Sequence, residues 1–165
     1  MLVIGIDPGT AITGYGLVSD REDGSLVAVD YGVIQTLPDL DLPHRLLEIN
    51  RALKGILFLH QPESGAVEKL FFQRNVRTAL SVGQARGVVL LALAEAAIPI
   101  AEYTPLEVKQ AVVGYGGADK KQVQHMVRAL LGLQEIPQPD DAADALAIAI
   151  CHLHTFRGEG RLGLT

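Results

Sequence analysis

The sequence predicts one mixed α/β domain built on a central sheet. Three observations carry that expectation. Short runs rich in Val and Ile open the chain and are joined by brief polar turns, as in an antiparallel meander. From Pro43 onward the apolar period lengthens from that of a strand to that of a helix. Strand-like and helical stretches then alternate, with no repeat, linker or low-complexity segment between them. At 165 residues the chain has the length of a single domain and can bury a core.

Residues 2–6 form an apolar, β-branched run that stops at Asp7-Pro8-Gly9-Thr10, a buried strand followed by a turn. Residues 13–19 read as a second strand, and Asp20-Arg21-Glu22-Asp23-Gly24 as a polar turn. Val27, Val29, Tyr31 and Val33 then alternate with smaller or polar residues, so one face of a third strand is buried. Leu46, Ile49, Leu53 and Ile56 keep helical spacing, and Gln61-Pro62-Glu63-Ser64-Gly65 breaks that helix. Ala66-Val67-Glu68 begins a fourth strand. Asn75 is placed to cap a long helix that reaches to about Ala97 and is stopped by Pro99. Ala79, Gly83 and Gly87 lie four apart on it, a face open to close approach by a second subunit or by the sheet. Residues 98–103 form a fifth strand. Asp119 and Gln122 have the spacing of a capping box, and Val123, Met126, Val127, Leu130 and Leu131 follow as one apolar stripe closed by Gly132. The last helix starts near Pro139 and carries Leu146, Ile148 and Ile150. Residues 157–165 are expected as a loose tail, which leaves 1–156 as the domain.

A composition of 48% hydrophobic and 20% charged residues excludes a disordered chain. The single cysteine, Cys151, excludes an internal disulfide and a zinc site made of cysteines alone. The N-terminus lacks the basic segment of a signal peptide, and the longest apolar run, residues 87–94, is too short to span a bilayer. A cytoplasmic protein with no membrane partner is the expectation. The net charge of −5 is unevenly spread. Between residues 66 and 131, eight bases (Lys69, Arg74, Arg77, Arg86, Lys109, Lys120, Lys121 and Arg128) stand against five acids. Such a middle can present a phosphate-binding face within an acidic protein, or simply a set of solvated helix faces.

Four carboxylates occupy places where a carboxylate is hard to explain structurally. Asp7 directly follows an apolar strand, and Glu68 ends another. Asp141 and Asp144 lie one turn apart on the last helix, among Ala, Leu and Ile, and therefore share a face. Singly, Asp7 could be a turn residue, Glu68 a surface residue and Asp141 a charge that favours the helix dipole. Together they repel one another with no base nearby in sequence, a repulsion that a divalent cation would relieve. Mg²⁺ takes oxygen ligands of this kind, typically one or two carboxylates with waters and substrate phosphates.

Ile4-Gly5-Ile6-Asp7-Pro8-Gly9-Thr10, Ala66-Val67-Glu68, Gly83-Gln84-Ala85-Arg86-Gly87, Val108-Lys109-Gln110 and Asp141-Ala142-Ala143-Asp144-Ala145-Leu146 resemble, in order and spacing, the RuvC-type Holliday junction resolvases. Residues 120–131, with Gln122-Val123-Gln124-His125-Met126-Val127-Arg128, resemble that family too, so the likeness covers all but the tail. The resemblance implies a ribonuclease-H-like fold, a five-stranded mixed sheet flanked by helices. It implies a homodimer that nicks a four-way DNA junction symmetrically in recombination and repair, and a branch-migration helicase complex of the Ruv system as partner. Asp7, Glu68, Asp141 and Asp144 fall on the family's catalytic acids, and Lys109 and Lys120 on its active-site-side lysines. Phe71 falls on an aromatic associated with junction bases, and Arg74 joins the expected DNA-binding set. Asp140 neighbours Asp141, but the Asp-x-x-Asp spacing to Asp144 selects Asp141; some relatives carry His there.

Phosphodiester hydrolysis needs an in-line nucleophile and a stabilised leaving oxygen, and two metal ions about 3.5–4 Å apart serve both. Two Mg²⁺ per subunit are expected, with Mn²⁺ able to substitute. Asp7 is the candidate bridging ligand, Glu68 and Asp144 complete separate shells, and Asp141 helps one ion or orients water. His125, on the polar side of its helix, is expected exposed, and His152 near a helix end. The adjacent Phe71 and Phe72 point opposite ways if their strand continues. Gly114-Tyr115-Gly116-Gly117 reads as a loop without the spacing of a phosphate-binding Walker loop. A first phosphate motif like that of the actin, Hsp70 and sugar-kinase ATPases also fits residues 5–10. That class needs two related lobes, for which 165 residues do not suffice. A DNA-binding protein without catalysis would have to tolerate these anions beside phosphates.

Overall fold

In a computed structural model of the chain, residues 1–69 and 76–162 are described, with side chains as far as Phe156. Strands β1 (Leu2–Asp7), β2 (Ile12–Asp20) and β3 (Leu26–Gln35) make the antiparallel meander. Helix α1 (Leu42–His60) leads to β4 (Ser64–Glu68), which pairs in parallel with β1. Helix α2 (Val76–Glu95) crosses to β5 (Ile100–Tyr103), parallel to β4. The strand order is β3-β2-β1-β4-β5, so β1 is the middle strand of a five-stranded mixed sheet, as expected. Helices α3 (Pro105–Val113), α4 (Lys120–Leu130) and α5 (Asp140–Leu162) follow.

The period of two along the strands sorts the chain into two cores. On β1, Ile4 and Ile6 pack with Ile49, Leu53, Val89 and Leu93 of α1 and α2. Val3 points the other way, into the core that α5 builds with Val123, Val127, Leu146 and Ile150. Asp7 has the parity of Val3 and so reaches the α5 face. Likewise Val67 joins the first core and Ala66 the second, which puts Glu68 on the α5 face beside Asp7. β1 is buried on both faces, which is why its sequence is a continuous apolar run rather than an alternation.

Helix ends follow local chemistry. Asp41 caps α1, accepting from the His44 amide, and Gln61 closes it in the left-handed conformation. Asp119 and Gln122 form the expected capping box of α4. Helix α3 was not foreseen, although its signals are present: Thr104 and Glu107 make a reciprocal capping box, Pro105 opens the first turn, and Gly114 ends it at φ 80°. Helix α2 ends at Glu95, two residues before the expected Ala97. The proposed cap at Asn75 lies outside the described residues. Helix α5 runs on to Leu162, whereas the sequence reading begins a tail at 157.

Among the described residues, α2 alone has the length and hydropathy of a membrane span. Its apolar character belongs in part to the core, since Ala85, Val89, Ala92 and Leu93 are buried. Its outward side leaves Leu80 63% and Leu91 56% exposed. Gly87 is on that open side, where an added Cβ would meet nothing within 4 Å. At this position the small-residue stripe therefore does not pack on the sheet.

Candidate active site

The parallel pairing of Ile6 with Val67 sets Asp7 and Glu68 side by side at the ends of adjacent strands. Helix α5 crosses over them in backbone contact with the sheet. A Cβ added at Gly14, which pairs with Asp7 across the antiparallel ladder, would lie 2.0 Å from the Asp141 carbonyl oxygen. One added at Gly5 would lie 2.1 Å from the Ala145 carbonyl oxygen. Only glycine admits the helix at this height, and the helix brings Asp144 to the strand ends.

Asp7, Glu68 and Asp144 line one cleft of about 260 Å³ with Lys109 of α3 and Lys120 of α4; Pro105, Val108, Val123, Ala147 and Ile148 supply apolar wall. Asp141 is half-buried at its margin, not among the lining residues, yet close enough to act electrostatically on Asp7 and Asp144. Burial, then the charges of Glu68, Asp144 and Asp141, push the Asp7 carboxyl up to about 7. Burial and then Asp144 raise Glu68, with Lys109 opposing. Burial also raises Asp144, against the hydrogen bond and charge of Lys120.

The Lys120 ammonium stands 3.1 Å from Asp144 Oδ2 and 3.2 Å from Asp140 Oδ2. Burial would lower Lys120, but its two carboxylate partners outweigh that and raise it. Gln124, almost fully buried on the next turn of α4, donates from Nε2 to Asp140 Oδ1 at 3.0 Å. The Lys120 hydrogen bond, then that of Gln124, hold Asp140 below the usual carboxylate range. Asp140 thus has partners of its own, which the spacing argument did not foresee. The i, i+4 spacing puts Asp140 and Asp144 on one face of α5 but does not say which residues of α4 meet them.

Of the other expected residues, Phe71, Phe72 and Arg74 lie outside the described residues. His125 is exposed, as expected. His152 is not at a helix end: α5 continues past it, and the ring is buried, with Nε2 2.6 Å from Ser64 Oγ and Nδ1 2.8 Å from the Tyr103 hydroxyl. Helix, β4 and β5 are tied together there.

A mixed five-stranded sheet that delivers strand-end carboxylates beneath a helix bearing further acids is the arrangement of the ribonuclease-H-like nucleases. The family profile "Crossover junction endodeoxyribonuclease RuvC" matches residues 3–152. The crossover junction endodeoxyribonuclease RuvC of Syntrophomonas wolfei is 58% identical over 157 residues, covering 95% of this chain and 91% of that relative. The Thermus thermophilus RuvC structure superposes with a TM-score of 0.90 at 40% identity, covering 96% of this chain and 97% of that one. T. thermophilus RuvC in complex with a Holliday junction substrate gives 0.88 at 38% identity, covering 96% of each chain. The chain belongs to the RuvC family of crossover junction endodeoxyribonucleases.

Nucleases of this family depend on a divalent metal ion. The cleft has carboxylate oxygens to offer one, partly buried and held above their normal pKa first by burial and then by the charge of neighbouring carboxylates. Among the described residues, no group of three or more His, Cys, Asp or Glu side chains is arranged to hold a metal ion. Asp144 is engaged by the Lys120 ammonium.

Proposed function

We propose that this chain resolves four-way DNA junctions by hydrolysing one phosphodiester bond per subunit, in recombination and repair. The observation that carries the reading is the single cleft in which Asp7, Glu68 and Asp144 meet Lys109 and Lys120, within a chain of the RuvC family. Asp7, Glu68 and Asp144 would hold two Mg²⁺ ions, with Mn²⁺ able to substitute. Bound there, the ions would supply the charge that activates a water and steadies the departing 3′ oxygen. Asp141 orients from the cleft margin. Lys109 and Lys120 bind the scissile phosphate, while Val108 and Val123 keep bulk water from the flank. Asp7 must lose its proton before it can ligate, so metal binding releases protons near neutrality. Phe71 stacks on a base opened at the crossover, and Arg74 meets a neighbouring phosphate. The nuclease is assigned to residues 1–156, which hold every described residue of the cleft.

A junction has approximate two-fold symmetry and needs two matched nicks, whereas the described residues of one chain form one such acidic cleft. A two-fold homodimer meets that need, and the open side of α2, with Leu80 and Leu91 about Gly87, offers apolar surface for a second copy. The protein acts in the cytoplasm, where branch migration by a helicase complex of the Ruv system delivers the junction. The decisive experiment compares a labelled four-way junction with a linear duplex of matched sequence, with and without Mg²⁺. Paired nicks in the junction alone, and only with metal, are expected. Equal cutting of both substrates, or cutting without metal, would overturn the reading.

A further inference from the structure

Two rungs join α4 to the start of α5. Lys120 and Gln124, at i and i+4 on α4, both reach Asp140, and they take different oxygens: Lys120 takes Oδ2 and Gln124 takes Oδ1. Lys120 at the same time reaches Asp144 Oδ2, so its ammonium is shared between two carboxylates one turn apart on α5. The two are not equivalent. Asp144 lines the cleft; Asp140 does not, and its side chain is 54% exposed against 34% for Asp144. Gln124 is 9% exposed and fixes the orientation of the outer carboxylate.

We propose that Asp140 is a positioning residue that holds Lys120 at the rim of the cleft when a divalent cation takes Asp144. The argument rests on Asp144 being a metal ligand, as above. An ammonium and a metal ion compete for the same Asp144 oxygens. An ammonium already divided between two carboxylates gives up less when one is withdrawn, and it keeps a partner that stops it from swinging into solvent. Without Asp140, the Asp144 oxygens would hold Lys120 undivided and release it to water. Asp140 therefore both eases cation entry and keeps a donor facing the substrate side.

A double-mutant cycle on the full-length protein tests this, with free Mn²⁺ measured by electron paramagnetic resonance and no DNA present. Asp140→Asn keeps an oxygen for Gln124 and removes only the charge; a melting curve checks the fold. With Lys120 in place, Asp140→Asn should weaken Mn²⁺ binding by about fivefold, the scale of one partly exposed ion pair. In the Lys120→Ala background the same change should cost about twofold or less, from the lost charge alone. Asp140→Glu should restore most of the affinity. An equal loss in both backgrounds would show that Asp140 acts only as a distant charge and would overturn the proposal. Failure of the wild-type protein to bind Mn²⁺ at all would instead overturn the metal reading of the cleft.

Discussion

Asp7 carries the largest perturbation in the cleft, and its consequence for stability has a definite sign. Its carboxyl is moved from 3.8 to about 7 in the folded, metal-free protein. The folded state then binds the proton more tightly than the unfolded chain, so the contribution is fully present below about pH 4 and is lost as pH rises through 7. The size is on the order of 2–4 kcal/mol, since one unit is about 1.4 kcal/mol and the site is partly open to water. Without metal, the melting temperature should fall between pH 5 and pH 8, and Asp7→Asn should remove most of that slope. A parallel slope in the variant would place the titration elsewhere. Added Mg²⁺ should stabilise the wild-type protein more at pH 8 than at pH 6, because at the lower pH it must displace a proton. In catalysis, Asp7→Asn, Glu68→Gln and Asp144→Asn should each abolish cleavage while junction binding survives, since affinity comes from Lys and Arg. Gel shifts run beside cleavage assays decide this: binding lost in step with cutting in all three would mean that the acids shape the protein rather than hold metal.

At the scale of elements, Lys109 depends on a helix of only nine residues. Thr104 caps it, its hydroxyl accepting from the Glu107 amide while the Glu107 carboxylate accepts from the Thr104 amide. Thr104→Ala should cost about 1 kcal/mol in urea unfolding and should weaken junction binding, because fraying starts one turn from the lysine. Full stability with unchanged binding would mean that tertiary contacts alone hold α3. This helix also marks a limit of what could be read in advance. The strands were legible because residues 2–6 are one short β-branched apolar run and residues 27–33 alternate, and α4 was legible from one clean apolar stripe after Asp119. In α3 only Val108 and Val112 are buried, too few to display a period, so the evidence lay in the cap alone. Residues 157–162, which continue α5, were read as a loose tail, so the helix was expected to end early. His152 was consequently placed at an end instead of in the interior. The meeting of Asp7, Glu68 and Asp144 was expected from the resemblance, together with Asp141, which stands at the margin. Asp140 could not be assigned, because its role depends on how α4 lies against α5, and no local pattern encodes that.

For the whole molecule, the prediction concerns stoichiometry. One cleft per chain and two cuts per junction require two copies acting on opposite strands. Light scattering should report a dimer mass over a concentration series. Wild-type protein mixed with an excess of Asp7→Asn subunits should convert a supercoiled cruciform plasmid to nicked circles, because a mixed dimer has one working cleft. Linear product at the wild-type rate from a protein that stays monomeric would refute paired action.

The backbone contact between α5 and the sheet has a consequence for mutational tolerance. Side chains elsewhere in the core can trade volume with their neighbours, but the oxygens of Asp141 and Ala145 over Gly14 and Gly5 have no rotamers with which to yield. Even one methyl there must lift the helix and carry Asp144 away from Asp7. A saturation library selected for junction cleavage would therefore accept a single residue at positions 5 and 14, as strictly as at the acids. Two glycines without any functional group would stand in the selection as though they were part of the chemistry.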